Sequence, residues 1–201
     1  LSVLVLGETG TGKELVAKEL HRLSGRAKQP FVSINCGAIP ENLLESELFG
    51  HKKGSFTGAV KQKTGQVEEA NGGTLFLDEI GEMSRSLQAK LLRFLEDGTF
   101  VRVGGTEEQR VDVRILAATN RDIIDAIETG DFREDLYHRL NVVQLRVAPL
   151  RDRDGDVTLL AEHFLSGFAR KMNKQFQPLS SEVRHMLNTH HWPGNVRELR
   201  N

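Results

Sequence analysis

One glycine-rich segment constrains this chain more strongly than any other feature. It reads Gly7-Glu8-Thr9-Gly10-Thr11-Gly12-Lys13-Glu14. An apolar run typical of a buried strand precedes it, and apolar residues at helical spacing follow it. Glycines in such a turn let backbone N–H groups converge on phosphate oxygens, while the start of the helix and the Lys13 ammonium add positive charge. The order of strand, glycine loop and helix predicts a phosphate-binding loop that takes ATP, and a flexible glycine turn is the alternative.

The last position of this loop departs from the generic phosphate-loop motif. That motif ends in Ser or Thr, whose hydroxyl is a ligand of Mg²⁺, whereas this chain has Glu14. A magnesium ion that accompanies ATP would therefore depend on other groups. We expect Asp78, through water, to hold it together with the phosphates.

Short apolar runs alternate with helical patterns over the first 149 residues. The runs cover residues 3–6, 31–34, 74–77, 113–118 and 142–147. This alternation is typical of a parallel sheet with helices on both faces. We predict an α/β fold of the P-loop NTPase type, with a five-stranded parallel sheet sandwiched by helices.

The pattern changes after Pro149, where only helical periodicity follows. We therefore predict an α/β nucleotide-binding core over residues 1–149 and a small all-helical lid over residues 150–201. The chain begins in a strand and stops in a helix, so we expect both parts to be truncated, the core at its N-terminus and the lid at its C-terminus.

Two segments interrupt the alternation of strands and helices. Residues 49–73 are rich in glycine and lysine with little periodicity, and a loop of that length inside a compact domain is more often functional than idle. Residues 99–113 predict a hairpin that turns at Gly104 and Gly105.

Composition and charge exclude several classes of protein. Lys and Arg number 27 against 28 Asp and Glu, so the charge gives no reason to expect nucleic-acid binding by bulk electrostatics. Cys36 is the only cysteine, which excludes an internal disulfide and fits a reducing cytosol. With no long apolar run and no signal-peptide pattern, we predict a cytoplasmic segment without membrane contact.

Polar residues follow two of the predicted strands directly. The third run reads Thr74-Leu75-Phe76-Leu77-Asp78-Glu79. At the carboxyl end of a parallel strand, Asp78 and Glu79 would face the crevice of the phosphate loop. We expect Asp78 to hold Mg²⁺ and Glu79 to activate or orient the attacking water, with electrostatic capping of the next helix as the alternative. Asn120, after the fourth run, would orient the same water or occupy a turn.

Seven motifs occur in order along almost the whole chain. They are GETGTGKE, ELFGHKKGSFTGA, GGTLFLDEIGEM, LLRFLEDGTFVRVGG, RILAATN, FREDLYHRLNV and HHWPGNVREL. Together they resemble the central AAA+ ATPase domain of sigma-54-dependent transcriptional activators, the bacterial enhancer-binding proteins. Glu14 fits this resemblance, because the family commonly carries glutamate at that position.

The resemblance implies roles for residues of the predicted core. Lys13 and the loop around it would bind ATP, and Asp78 and Glu79 would be the hydrolytic pair. Asn35 matches a position that holds the glutamate until the partner is engaged, and Asn120 matches the first sensor of the nucleotide. On the residues alone, Asn35 could equally be a strand-end cap.

The resemblance also implies roles for three arginines. Arg133 and Arg139 match arginine fingers, which reach the nucleotide of the neighbouring subunit, and Arg197 matches the nucleotide-contacting sensor arginine of the lid. A cationic group at the transferring phosphoryl can raise the rate by several orders of magnitude. On the residues alone, the first two could be surface ion-pair partners and Arg197 a solvated helix residue.

A short loop is the hallmark of the family that the chain resembles. It reads Gly54-Ser55-Phe56-Thr57-Gly58-Ala59. The family's loop contacts the sigma factor with its Phe and Thr, and an exposed aromatic residue suits such an interface. Packing of Phe56 into the body of the domain is the alternative. The chain has Ser55 where Ala is usual.

The resemblance implies an ATPase that requires Mg²⁺ and assembles as a hexamer or heptamer ring. Hydrolysis would move the Phe56 loops and remodel the promoter complex of sigma-54 RNA polymerase. DNA would be contacted mainly through a domain beyond Asn201, and a sensor or receiver domain, as in a two-component system, would precede Leu1. Two other classes stay open: an assembly module that binds ATP but hardly hydrolyses it, and a small-molecule P-loop kinase, for which no acceptor-binding pattern is seen.

Overall fold

The computed structural model describes all 201 residues. Its strands are β1 (Val3–Leu6), β2 (Phe31–Asn35), β3 (Thr74–Asp78), β4 (Thr99–Val101), β5 (Glu108–Arg110), β6 (Arg114–Thr119) and β7 (Val143–Arg146). Its α-helices are α1 (Lys13–Arg22), α2 (Glu41–Phe49), α3 (Gln66–Glu69), α4 (Arg85–Asp97), α5 (Ile123–Glu128), α6 (Glu134–Leu140), α7 (Asp156–Lys171), α8 (Ser181–Thr189) and α9 (Asn195–Arg200). Short 3₁₀ helices cover Ile80–Glu82 and Leu150–Asp152.

Five strands form one parallel sheet in the order β2-β3-β6-β1-β7. Leu6 lies opposite Thr119 in the β1–β6 pair, and Asn35 lies opposite Asp78 in the β2–β3 pair. Because these pairs and the β3–β6 pair are all parallel, the four residues share the carboxyl edge of the sheet. The predicted five-stranded α/β fold is confirmed.

The central strands are apolar on both faces, as buried parallel strands usually are. Leu75, Phe76 and Leu77 of β3 are completely buried, and so are residues 116–118 of β6. Leu75, Leu77 and Ala117 pack with side chains of α2, α4 and α6 into one apolar core. Both strands that end in candidate functional residues are therefore held rigidly.

A two-stranded antiparallel sheet stands apart from the main one. Strand β4 pairs with β5, with Thr99 opposite Arg110 and Val101 opposite Glu108. Gly104 in the connection has a φ of 71°, a left-handed conformation that suits glycine. The predicted hairpin and its turn are confirmed.

The chain divides into two compact units by its internal contacts. The first comprises residues 1–6 and 14–145, and the second comprises residues 7–13 and 146–201. The glycine-rich segment thus belongs, by its contacts, to the unit of the C-terminal helices. That unit contains α7, α8 and α9, packed around Leu150, Val157 and Trp192.

Two details of the elements go beyond the sequence prediction. Residues 123–140 form two helices rather than one, since Gly130 between them has a φ of 83°. Asp122 caps the first of these by accepting from the N–H groups of Ile124 and Asp125. The long segment 49–73 contains the four-residue helix α3. None of the helices has the length and apolar character needed to span a bilayer.

Candidate functional site

The phosphate-loop candidate has a backbone that only glycine can follow at two positions. Gly10 and Gly12 have φ angles of 81° and 101°. A Cβ on Gly10 would also collide with the carbonyl oxygen of Gly194. At Gly7 the angle is ordinary, but a Cβ would lie 2.8 Å from the carbonyl oxygen of Val147. Gly10 and Gly12 are thus required by their backbone conformation, and Gly7 and Gly10 by close packing against a neighbouring carbonyl group.

The Lys13 side chain curls back over the loop that precedes it. Its Nζ donates to the carbonyl oxygens of Gly7 and Glu8, at 2.8 and 3.0 Å, and the residue is buried. Thr11 closes the same turn, because its hydroxyl donates to the Glu8 carbonyl at 2.8 Å. The ammonium group is thereby held in the concave part of the loop, where phosphate oxygens would gather.

Glu8 is fixed by partners far away in the sequence. Both of its oxygens accept from the Arg151 guanidinium, at 2.6 and 2.9 Å, and Oε2 also accepts from the Asn195 amide at 3.1 Å. The hydrogen bonds from Arg151 and then from Asn195 lower the pKa of the Glu8 carboxyl to about 2. The sequence predicted Glu8 as part of the loop but gave no sign of these partners, which lie more than 140 positions away.

Arg197, the predicted sensor arginine, lies next to the phosphate loop. Its backbone N–H donates to the carbonyl oxygen of Gly10 at 3.3 Å, and its side chain is exposed. Glu14, by contrast, pairs with Lys18 one turn further along α1 at 2.7 Å. The backbone of Arg197 therefore contacts the phosphate loop directly, and its guanidinium is exposed beside it.

The acidic pair lies at the carboxyl edge of β3, as the sequence predicted. Asp78 is its last residue, and Glu79 follows in a left-handed conformation with φ 54° and ψ 44°. The Asp78 Oδ1 accepts the Glu79 backbone N–H at 3.0 Å. A non-glycine residue in this region costs on the order of 1–3 kcal/mol and occurs mostly at functional sites. This geometry points Glu79 away from the path of the strand.

Asn35, opposite Asp78 in the sheet, caps its own strand. Its Oδ1 accepts from the N–H groups of Gly37 and Ala38, both at 2.9 Å. A Cβ on Gly37 would collide with Oε2 of Glu79, so the Glu79 carboxylate rests against the capped turn. The hydrogen bonds of Asn35 go to this turn rather than to Glu79. Asn35 thus stabilises the turn against which the Glu79 carboxylate packs.

The end of β6 supplies further polar groups at the same edge. Thr119 is buried and its hydroxyl accepts the Arg121 backbone N–H at 3.1 Å, while Asn120 between them is exposed. The Arg121 guanidinium forms an ion pair with Glu82. This pair, missed by the sequence reasoning, links the strand end that carries Asn120 to the 3₁₀ helix that follows Glu79.

The donor set suits a metal that is bound mainly through a nucleotide. The structure contains no group of three or more His, Cys, Asp or Glu residues placed to hold an ion. Magnesium is usually bound by one or two carboxylates together with substrate phosphates and water. Asp78 is a carboxylate of that kind, so the residues fit Mg²⁺ that arrives with a triphosphate.

The two candidate arginine fingers lie on or next to α6, and each has a partner. Arg133 forms two hydrogen bonds with Asp135, at 2.6 and 2.9 Å, and this neighbour raises the arginine's pKa. Arg139 donates twice to the carbonyl oxygen of Leu95 at the end of α4. Both side chains therefore sit at the surface in contacts within the chain.

The hallmark loop closes on itself between two glycines in left-handed conformations. Gly54 and Gly58 have φ angles of 82° and 104°, and the Gly54 N–H donates to the Ala59 carbonyl at 2.8 Å. Ser55 places its hydroxyl in a buried position without a hydrogen-bond partner. Thr57 is exposed. The loop is thus a compact unit at the protein surface.

Phe56 is neither fully exposed nor packed into the core. Its side chain is 36% exposed, and its ring lies edge-on to that of His51 with 5.0 Å between the centroids. His51 is buried and is hydrogen bonded to the Ser46 hydroxyl at 2.6 Å and to the Lys61 carbonyl at 2.9 Å. Sequence reasoning missed His51, although it lies only three residues before Gly54.

Comparison with known families and proteins identifies both parts of the chain. Residues 1–146 match the family described as the Sigma-54 interaction domain, and residues 151–201 match the AAA+ ATPase lid domain. The Nif-specific regulatory protein of Azotobacter vinelandii is 59% identical over 200 residues, and the Sigma54-dependent transcriptional regulator SfnR of Pseudomonas fluorescens is 53% identical over 200. All of this chain is covered in each case, but only 38% and 54% of those two proteins.

Solved structures agree with the family matches. NtrX from Brucella abortus in complex with ADP is 42% identical and superimposes on all of this chain with a TM-score of 0.93, over 44% of its own length. The same protein in complex with ATP gives a TM-score of 0.91. Both alignments cover all of this chain. The chain therefore belongs to the sigma-54 interaction domain family of transcriptional activators and includes an AAA+ ATPase lid.

Proposed function

We propose that this domain binds ATP with Mg²⁺ on residues 7–14, hydrolyses it with Asp78 and Glu79, and uses the cycle to remodel the sigma-54 RNA polymerase promoter complex. One observation carries the hydrolytic part. Glu79 is held in a left-handed conformation at the carboxyl edge of β3, the sheet edge from which the phosphate loop continues after β1. Strain of this kind is retained where a side chain must be aimed.

The sheet topology supports a shared nucleotide. In open parallel sheets, ligands bind outside the carboxyl ends of the strands, and Leu6, Asp78 and Thr119 end three adjacent strands of this sheet. Gly7 follows Leu6 directly, and Asn120 follows Thr119. The related NtrX structures were solved in complex with ADP and ATP. We infer that Lys13 contacts the outer phosphates and that Asp78 holds Mg²⁺ through water.

Glu79 and Asn120 would act on the attacking water. Bound Mg²⁺ would neutralise charge on the phosphates, while the carboxylate accepts a proton from the water or orients it. Asn120 would hold the same water from the neighbouring strand end. Asn35 supports the turn beside Glu79, and we propose that rearrangement of this turn releases the glutamate for catalysis.

Arg133 and Arg139 would complete the site of a neighbouring subunit in a ring. Arg133 must first exchange its Asp135 carboxylate for a phosphate. Both ligands accept two parallel hydrogen bonds from a guanidinium, so the exchange keeps the bonding geometry of the arginine. Both side chains lie at the surface. Arg197, with its backbone against Gly10, would contact the phosphates from the helical unit.

The loop of residues 54–59 would be the moving contact with the sigma-54 factor. A cycle can move it only if the ATP and ADP states hold the loop differently. Two observations support such movement: Gly54 and Gly58 have positive φ angles, and His51 is the one aromatic ring that the partly exposed Phe56 contacts. We infer that Phe56 leaves His51 to contact the partner.

Replacement of Glu79 by Gln tests the hydrolytic assignment. We expect Glu79→Gln to bind ATP normally but to lower kcat by about 10²–10⁴-fold, since loss of a general base has effects of that size. Steady-state phosphate release and a binding titration measure the two effects. Glu69→Gln, which removes a carboxylate from the exposed face of α3, is the matched control and should leave both unchanged. Near-normal turnover in Glu79→Gln would remove Glu79 from its role.

The dependence of activity on protein concentration separates this proposal from an ATP-binding assembly module. If arginine fingers act between subunits, ATP turnover per molecule should rise steeply with concentration and reach a plateau when the rings are complete. An assembly module would form the same rings with negligible turnover. Transfer of phosphate to an added small molecule, instead of release, would favour a kinase.

A further inference from the structure

We propose that Asn195 is a positioning residue that holds the phosphate loop in its nucleotide-binding shape and links it to the segment that follows Pro149. The proposal rests on the assignment of residues 7–14 as the nucleotide site. It concerns regulation of that site, because a side chain of the helical unit would decide how well the loop binds phosphate.

The hydrogen bonds of Asn195 reach two separate parts of the chain. Its amide nitrogen donates to Glu8 Oε2 at 3.1 Å and to the Thr9 carbonyl at 3.0 Å. Its amide oxygen accepts the backbone N–H of Leu150 at 2.7 Å. One side chain thus satisfies three groups and joins the phosphate loop to the first residue after Pro149.

The environment of Asn195 indicates a specific requirement for this residue type. It is completely buried, and its φ of 52° lies in the left-handed region, which asparagine tolerates better than other non-glycine residues. A buried amide that satisfies both its donors and its acceptor is favourable, whereas each group left unpaired there is costly. The isosteric carboxylate of Asp would replace two donated hydrogen bonds by repulsion from Glu8 and from the Thr9 carbonyl.

Arg151 belongs to the same network, because it also bonds to Glu8. Its guanidinium binds both carboxylate oxygens, and Arg153 donates to the Thr11 carbonyl at 3.4 Å. Groups of residues 150–153 and of Asn195 therefore contact three residues of the phosphate loop, Glu8, Thr9 and Thr11. Any rearrangement of residues 150–153 must either carry the loop with it or break these bonds.

The physical consequence is a coupling between the helical unit and nucleotide affinity. With the network intact, the backbone N–H groups of the loop are held in place before phosphate arrives, and binding costs less ordering entropy. Without it, that cost is incurred when the nucleotide binds. We infer that Asn195 lowers the Kd for nucleotide more than it raises the rate of the chemical step at saturation.

The test compares Asn195→Asp with Asn173→Asp in the full chain, with ADP as the probe. Asn173 is an exposed asparagine with the same φ of 52°, so it is a matched control. We expect Asn195→Asp to raise the Kd of ADP about tenfold or more, as loss of hydrogen bonds to a charged group implies, and to raise KM for ATP more than it lowers kcat. Asn173→Asp should leave these values unchanged. Equal Kd values for the two variants would overturn the proposal.

Two further measurements keep the test decisive. The first is the double variant Glu8→Gln with Asn195→Asp, in which the Gln amide can donate to the new carboxylate and the repulsion is removed. The double variant should therefore bind ADP more tightly than Asn195→Asp alone. Losses of ADP affinity that simply add in the double variant would contradict the proposal. If Asn195→Asp does not fold, as judged by emission of Trp192, the only tryptophan, then Glu8→Gln alone must weaken ADP binding at least threefold, and unchanged affinity would overturn the proposal.

Hydrogen exchange separates this inference from the proposed function. Backbone amides of residues 7–13 should exchange faster in Asn195→Asp without any nucleotide. If the wild type fails to bind ADP, the nucleotide assignment is wrong, while the exchange result still decides whether Asn195 holds the loop. Unchanged exchange in the loop would overturn the role of Asn195 even if ADP binds.

Discussion

Glu79 shows at the scale of one residue how local strain and predicted chemistry coincide. Only four non-glycine residues have a positive φ, namely Glu79, Asn173, Trp192 and Asn195. Two of them, Glu79 and Asn195, lie in the candidate catalytic pair and in the network around the phosphate loop. Strained positions persist only where the surrounding structure stabilises them. Here these are the capped turn beside Asn35 and the hydrogen bonds of the buried Asn195 to Glu8 and Thr9.

Cys36 gives a residue-scale prediction about pH. Burial, followed by the negative charges of Asp78 and Glu79, raises the pKa of its thiol to about 12. We therefore expect iodoacetamide to modify native protein very slowly at pH 8 and to modify it quickly in urea. Because the folded pKa lies above the unfolded value, this thiol contributes stability that is present below about pH 8.5 and is lost as pH rises toward 12.

Mass spectrometry after timed alkylation measures this reactivity without ambiguity, since Cys36 is the only cysteine. The rate in the native state should follow the fraction of molecules that open. Rapid modification of native protein at pH 8, at the rate of a free thiol, would contradict the burial and charge of this position.

The positions of the candidate site residues were predictable from sequence only where they follow local patterns along the chain. Asp78 and Glu79 directly follow a buried strand, and the spacing of Gly7, Gly10 and Gly12 meets a backbone requirement. Asn195 was not predictable in this way. Its partner Thr9 is 186 positions away, and nothing in the local pattern of a buried asparagine states what it binds.

At the scale of elements, the end of α4 offers a test of backbone conformation. Gly98 follows this helix with a φ of 70°, and its N–H donates to the Phe94 carbonyl at 2.9 Å. Gly98→Ala should lower the free energy of unfolding by about 1–2 kcal/mol, because a Cβ is strained in the left-handed region. Urea denaturation measures the change, and Gly25→Ala is the control, since a Cβ at Gly25 meets no atom within 4 Å. An unchanged midpoint for Gly98→Ala would contradict this helix ending.

Element boundaries show why some local structure could be predicted and some could not. The five apolar runs predicted the strands because buried parallel strands need apolar residues on both faces. The break between α5 and α6 does have a local signal, because no apolar residue lies between Ile127 and Phe132 and Gly130 is a residue typical of helix ends. There the cap of Asp122 and the left-handed Gly130 decide the ends. The four residues of α3 are too few for a periodic signal.

At the scale of the whole molecule, the proposed ring predicts complementation between two inactive variants. The Glu79→Gln variant lacks the catalytic glutamate but retains both arginines. The Arg139→Ala variant lacks one arginine but retains Glu79. If the arginine acts on the neighbouring subunit, an equimolar mixture should regain about one quarter of wild-type ATPase activity, as random mixing in a head-to-tail ring implies. Phosphate release in mixtures of increasing ratio measures the effect, and Arg133→Ala should behave in the same way.

Recovery of activity by mixing cannot come from a folding defect in either variant, which makes the result specific for action between subunits. Each variant alone serves as its own control. A mixture with only the sum of the two separate activities would show that these arginines act within their own subunit or have a structural role, such as the contact of Arg139 with the end of α4.

The most direct test of the whole account is gel filtration of this domain with purified sigma-54 factor in the presence of ADP and aluminium fluoride, with oligomer mass measured on the eluting complex. We predict co-elution of a ring-sized assembly only when ADP and aluminium fluoride are both present, and loss of co-elution in Phe56→Ala, which should keep its ATPase activity. Co-elution that is equal without nucleotide, or that is unchanged in Phe56→Ala, would contradict the coupling of the nucleotide site to the loop.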